Sequence, residues 1–177
     1  SLDKKKSLEA SVYFGNNQKI NDRLSIQYGL RISSFLYLGG GNSYSYGTAI
    51  PGERKPWIGT QSNDNMETIA HYQALEPRAS LRYTLNPTSS IKGSYNRMNQ
   101  FIHLISNTVA ATPIDVWQPS TNNIKPQTGN QIAVGYFKNL QGNLFETSAE
   151  GYYKWNKNQV DYIDGADILI NEFLEGD

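Results

Sequence analysis

The side chains able to do chemistry are few, and their spacing points to binding rather than catalysis. His71 and His103 are the only histidines, and they sit in different long loops with no spacing that would make a metal pair. Asp161, Asp164 and Asp167 gather around Gly165 but lack the roughly 12-residue calcium-loop pattern that closes on Glu. An Asp164-Gly165 turn between two apolar runs accounts for the same residues. Glu146 and Glu150 share one strand face and read as solvated charges rather than an acid/base pair, since no pocket signal accompanies them. Gly39-Gly40-Gly41 is followed by neither Lys-Ser nor Lys-Thr and makes no phosphate cradle. No enzyme activity, cofactor or metal is therefore expected. The remaining candidates are rings: Tyr44, Tyr46 and Trp57, in a loop rich in Ser, Thr and Asn with Arg54 and Lys55, suit a polar ligand such as a sugar. The same residues also describe a surface loop whose rings pack on its neighbours.

Such a loop needs a scaffold, and the chain supplies alternating strands. Leu8, Ala10, Val12 and Phe14 occupy alternate positions; after Asn16-Asn17-Gln18-Lys19 the pattern resumes at Leu24, Ile26, Tyr28, Leu30 and Ile32. Ala79, Leu81, Tyr83 and Leu85 repeat it, followed by Asn86-Pro87-Thr88-Ser89 and then Ile91, Gly93 and Tyr95. Ile132, Val134 and Tyr136 lead through residues 139–143 to Phe145, Thr147, Ala149, Gly151 and Tyr153. A period of two predicts antiparallel hairpins at about 7–37, 75–100 and 130–156, with a further hairpin at 159–173. Pairing Leu85 with Ile91 would set Tyr83 across from Gly93 and Leu81 across from Tyr95.

The apolar set, including Leu24, Ile26, Tyr28, Leu30, Leu81, Tyr83, Tyr95, Val134 and Tyr136, should form one continuous face, with Arg31, Arg82 and Glu150 on the other. Turns at 16–22, 86–89 and 139–143 are short, whereas stretches 38–74 and 101–129 far exceed the usual loop of about 4 to 6 residues. In a meander this alternation puts all short turns at one end of the sheet and both long loops at the other. Alternation alone does not say which face is buried: a soluble sandwich packs the apolar face on a second layer, and a membrane barrel turns it to lipid.

Composition narrows the field. The 177 residues include 12 Tyr, 6 Phe and 3 Trp, an aromatic load suited to a boundary between apolar and wet surroundings. Sixteen basic residues balance 16 acidic ones, so charge gives no case for nucleic acid as a partner. Lys4-Lys5-Lys6 and the six acids among the last 17 residues read as solvated surface. The absence of cysteine excludes a disulfide framework and a thiolate site. No apolar run reaches about 18 residues, which leaves no transmembrane helix, and Ser1-Leu2-Asp3-Lys4-Lys5-Lys6 is not a signal peptide, so any export signal would lie outside this chain.

Glu76-Pro77-Arg78-Ala79-Ser80-Leu81-Arg82-Tyr83, then Asn86-Pro87 and Ile91 to Gln100, resembles the mid-barrel hairpin of TonB-dependent outer-membrane receptors, especially those of Bacteroidetes. Trp117-Gln118-Pro119-Ser120, Ile124-Lys125-Pro126-Gln127, Val134-Gly135-Tyr136, Glu150-Gly151-Tyr152-Tyr153-Lys154 and Asn158-Gln159-Val160-Asp161-Tyr162 continue the likeness in order. The resemblance implies an all-β, antiparallel up-and-down meander: a partial outer-membrane barrel of about six to eight strands, where family members close about 22. It also implies residence in a Gram-negative outer membrane against lipid, and import of a scarce solute such as a glycan, peptide, siderophore or vitamin. Energy would come from the TonB complex through a plug domain that nothing here resembles, with a surface lipoprotein as a further partner. A fragment of this kind would not transport alone. Its open edges and apolar face would make it require detergent, pair with copies of itself, or fold its sheet over. The alternative from another class is a soluble β-sandwich carbohydrate-binding module.

Overall fold

The computed structural model describes residues 5–48, 53–105, 116–140, 144–160 and Glu175. Ten strands follow in order: β1 (Lys6–Lys19), β2 (Leu24–Leu38), β3 (Asn42–Tyr46), β4 (Trp57–Ser62), β5 (Thr68–Asn86), β6 (Ser89–Gln100), β7 (Ile102–Ile105), β8 (Val116–Pro119), β9 (Gln127–Leu140) and β10 (Phe145–Lys157). Six form one antiparallel sheet in the order β1-β2-β5-β6-β9-β10, an open meander edged by β1 and β10. The other four make two separate hairpins, β3–β4 and β7–β8, inside the long connections that the sequence presented as loops. Short turns lie at one end of the sheet and both long connections at the other, without a Greek-key crossover. The hairpin expected at 159–173 lies outside the described residues beyond Val160.

The strands outrun the apolar runs that announced them. Asn16 to Lys19 belong to β1 and pair with Tyr28 to Ser25, so the first turn is Ile20 to Arg23 and not Asn16 to Lys19. Asn21 makes it, its Oδ1 accepting the N–H groups of Arg23 and Leu24 at 2.9 and 2.8 Å. The second turn is also tighter than expected. Asn86 pairs with Ser89 across Pro87-Thr88, and Asn86 Oδ1 accepts the Thr88 N–H at 3.0 Å. Tyr83 therefore faces Ile91, Leu81 faces Gly93 and Ala79 faces Tyr95, a slip of two residues from the expected pairing. A slip of two, with a bulge between Thr84 and Asn86, keeps every side chain on its face, which is why the pattern could not detect it.

The registers build one apolar face. The row Ile26, Leu81, Gly93, Val134 and Gly151 crosses five strands, and Tyr28, Ala79, Tyr95, Ile132 and Tyr153 form the next row toward the long loops. Arg31, Arg82 and Glu150 fall on the opposite face, as expected. Among the described residues no second layer covers the apolar face: Val12 is 69% exposed, Phe14 68% and Val134 58%. A sandwich would have buried these side chains. Nor does the sheet fold over to bury them.

The apolar band also runs obliquely to the paired rows. At the β1–β5 side Val12, Ile32 and Leu75 are level with one another, and continuing the β5–β6 register sets Leu75 level with polar Asn99, Thr128 and Lys157. Strands inclined to a horizontal band give this offset, as in membrane barrels tilted by about 35–45°.

At the loop end the inner face of β2 and β5 becomes apolar and the outer face mixed, with Leu8 and Leu36 still on it. Beyond Ile32 and Ser33, Ser34 takes the formerly apolar side while Phe35 and Tyr37 take the polar one; in β5 the same change sets His71 and Gln73 against Tyr72 and Ala74. Phe35, Ala74 and Phe101 form a buried cluster there, with Tyr37 and Tyr72 packed on it. The sheet is thus apolar outward along most of its height and apolar inward only near the loops.

Two glycines test this register. A Cβ on Gly29 would meet the Phe14 carbonyl oxygen at 2.9 Å and Gly15 Cα at 3.4 Å, whereas one on Gly93 meets nothing within 4 Å. Gly29→Ala is expected to destabilise the folded chain by about 1–3 kcal/mol, and Gly93→Ala to leave it unchanged or stabilise it by about 0.5–1 kcal/mol, measured by urea unfolding in detergent. Equal effects of the two substitutions would contradict the β1–β2 and β5–β6 pairings.

Candidate functional site

The polar face becomes enclosed where the connection between β6 and β9 folds inward. Phe101 leaves the end of β6 and stacks on Phe35 of β2, ring centroids 5.0 Å apart and planes within 2°. That contact draws the β7–β8 hairpin over the sheet. The Ser120 N–H donates to the Phe101 carbonyl at 2.7 Å, and Tyr72 Oη of β5 donates to the Thr121 carbonyl at 2.5 Å. His103 and Ser120, both buried, face each other with Nε2 and Oγ 3.2 Å apart. Burial pulls the His103 pKa below the ordinary 6.5, because a charged imidazole there would lose its hydration.

Glu175 ties the underside of this roof to the edge of the sheet. Its carboxylate accepts from Lys5 Nζ at 3.0 Å, Gln118 Nε2 at 3.0 Å, Thr121 Oγ1 at 2.9 Å and Asn123 Nδ2 at 2.8 Å. Burial pushes this carboxyl up, but the Lys5 charge and the hydrogen bonds from Asn123, Lys5 and Thr121 outweigh it and leave the pKa below the ordinary 4.5. Glu175 and Lys5 were expected on solvated surface, and here they form an ion pair with the glutamate side chain 13% exposed. The other five acids of the terminal cluster lie outside the described residues.

A second buried carboxylate, Glu76, stands on the polar face of β5. Its Oε1 accepts the backbone N–H of Asn99 at 2.6 Å, and its Oε2 takes Ser33 Oγ and Arg31 Nε at 3.5 Å each. The β5–β6 ladder stops at the Arg78–Asn96 pair, next to Pro77, which has no N–H to give it, and beyond that end the glutamate side chain takes the Asn99 amide. Glu76 stood in the sequence only as part of a family-like motif; proline inside a strand was the signal that the ladder needed help.

The candidate ligand rings lie in the β3–β4 hairpin, not in an irregular loop. Tyr46 is paired with Trp57 and Tyr44 with Thr60. Trp57 is 57% exposed, whereas Tyr44 and Tyr46 are half-buried. The Tyr44 carbonyl accepts the side-chain amides of Asn122 and Asn123 at 3.1 and 2.8 Å, which joins this hairpin to the roof beside β8. The two connections therefore form one rim of amides, hydroxyls and rings above a polar wall. Such a rim can hold a polar solute by hydrogen bonds and ring stacking. Among the described residues no three His, Asp or Glu side chains gather to hold a metal ion.

The family model described as "TonB dependent receptor-like, beta-barrel" matches residues 2–172. Comparison with curated proteins and with solved structures returns no match.

Acid should loosen the roof. For His103 the folded pKa lies below its unfolded value, so the stabilisation is complete above about pH 6.5 and is lost as pH falls from there through the lowered value. Glu175 has the same sign in a lower window, complete above 4.5 and lost below it. Amide hydrogen exchange in β7 and β8 is expected to accelerate several-fold between pH 7.5 and pH 5.5 after correction for intrinsic rates, while β5 and β6 amides stay protected. His103→Gln should abolish this step; a step that survives the substitution excludes His103 as its source.

Proposed function

Because the chain belongs to the TonB-dependent receptor β-barrel family, whose members are transporters of the Gram-negative outer membrane working with TonB on a solute, we propose that it forms part of the barrel wall of a receptor that imports a scarce nutrient. The uncovered apolar face carries this reading. Side chains such as Val12, Phe14, Leu30, Ile32, Val134 and Tyr153 project from the sheet with no layer of the described residues over them, and hydrocarbon is the environment in which that arrangement is stable. The rings at its margins agree. Tyr83, Tyr136 and Phe145 lie toward the turns, and Tyr95, Tyr153 and Trp155 toward the loops, where aromatic girdles meet the two interfaces of a bilayer.

In this reading the polar face looks into the lumen, the short turns are periplasmic and the rim of β3–β4 and β7–β8 is extracellular. Tyr44, Tyr46 and Trp57 meet the incoming solute, a glycan, peptide, siderophore or vitamin, by stacking and hydrogen bonding. A plug domain and TonB act through parts of the receptor beyond these residues, in the manner of the Bacteroidetes-type receptors its motifs resemble, and a surface lipoprotein is a further partner at the rim.

The chain has no cysteine, so single cysteines can report on each face without a background. In outer membranes containing the intact receptor, Ser80→Cys is expected to react with a small water-soluble maleimide at least tenfold faster than Leu81→Cys or Val134→Cys. Comparable rates at Ser80 and Leu81 would remove the membrane assignment. Trp57→Ala should weaken solute uptake by raising the half-saturating concentration while leaving receptor abundance unchanged.

A further inference from the structure

We propose that the middle of the polar face carries a binding site for a small oxyanion, built on Arg82 and Lys92. The register sets Arg82 of β5 directly opposite Lys92 of β6. Two like charges facing each other across an antiparallel pair repel, and sequence freedom on a wet face would ordinarily remove one of them. No carboxylate neutralises them: among the described residues Lys5, Lys19 and Arg31 each have an acidic partner, and Arg78, Arg82 and Lys92 have none.

The surroundings favour an anion. Arg82 and Lys92 line a depression of the sheet together with Ser25, Gln27, Ser80 and Ser94, side chains that donate hydrogen bonds. Lys92 is held in place by Phe137, its Nζ 4.2 Å from the ring centroid. On the other side of Lys92 the row continues with Gly135, where a Cβ would stand 2.8 Å from Phe137 Cε2 and 3.0 Å from Glu150 Cγ; the bare backbone lets the Phe137 ring lie close enough to the sheet to meet Lys92. Glu150 of β10 borders the same space and forms no ion pair with either cation. A planar guanidinium, a fixed ammonium and a ring of hydroxyls match a phosphate or carboxylate group, the guanidinium by two parallel hydrogen bonds. The site's place on a solute's route rests on the lumen reading above, whereas anion binding itself does not.

Inorganic phosphate is the probe. The full chain folded in non-ionic detergent at low ionic strength is expected to bind it saturably by calorimetry at pH 7, and Arg82→Gln or Lys92→Gln to weaken binding at least tenfold, while Lys138→Gln leaves it unchanged. Unfolding supplies an independent reading. Phosphate should raise the urea midpoint of the native chain, and Arg82→Gln should remove that response yet be at least as stable as the native chain without phosphate, since the repulsive pair is gone. The proposal is overturned if chloride at equal ionic strength reproduces the phosphate effect, if the substitutions leave binding intact, or if Arg82→Gln destabilises the phosphate-free chain. None of these outcomes depends on transport.

Discussion

The structure depends on the continuity of one backbone ladder. Each strand of the main sheet is antiparallel to its sequence neighbours in that sheet, and the row from Ile26 through Leu81, Gly93 and Val134 to Gly151 needs every intervening pairing to be in register. In hydrocarbon no water can receive an N–H or C=O that the ladder misses, so register there is a condition of existence and not a refinement. A shift of one residue in a single pair would turn Arg82 or Lys92 toward lipid and Leu81 toward water. The short Asx turns at Asn21 and Asn86 secure the pairing where the strands begin.

The inward apolar cluster at the loop end follows from the change of solvent along the strands. Within the oblique apolar band the outside is apolar and the inside is wet. Above it water reaches both sides, and the ordinary rule returns: Phe35, Ala74 and Phe101 pack inward, and Ser34 turns outward to meet His71 Nε2 at 2.9 Å. This small inward core seats the roof, and the Glu175 carboxylate and the Tyr72 hydroxyl fasten it. The polar surfaces are thus layered by medium, with rings and amides above and a cationic pair without an ion-pair partner below.

Alternation was legible wherever a strand crossed the band, as at Leu24 to Ile32 or Ile132 to Tyr136, and with it came the strand directions, the two faces and the sidedness of the turns. Strand ends were not. Asn16 and Gln18 sit where β1 passes below the band, so their polarity imitates a turn; His71 to Ala74 lie above it, where the inverted phase hides the strand. The strands of the loop hairpins run only four to six residues, too short to show a period. Tyr44, Tyr46 and Trp57 could be picked out by type, but not their cross-strand pairing, and the partnership of Lys5 with Glu175 spans 170 positions that only the fold brings together.

The Glu76 contact has a mechanical meaning. Along the rest of the wall, neighbouring strands are sewn by amide pairs that part only cooperatively, but between Pro77 and Asn99 the stitch is a single flexible side chain. A side chain can rotate away from its donor without unthreading the amides on either side. Beyond Arg78 the end of β6 is held to β9 by the Asn99–Thr128 and Gln100–Gln127 pairs, so a rotation of Glu76 would part β6 from β5 there while the frame that crosses the band keeps its register.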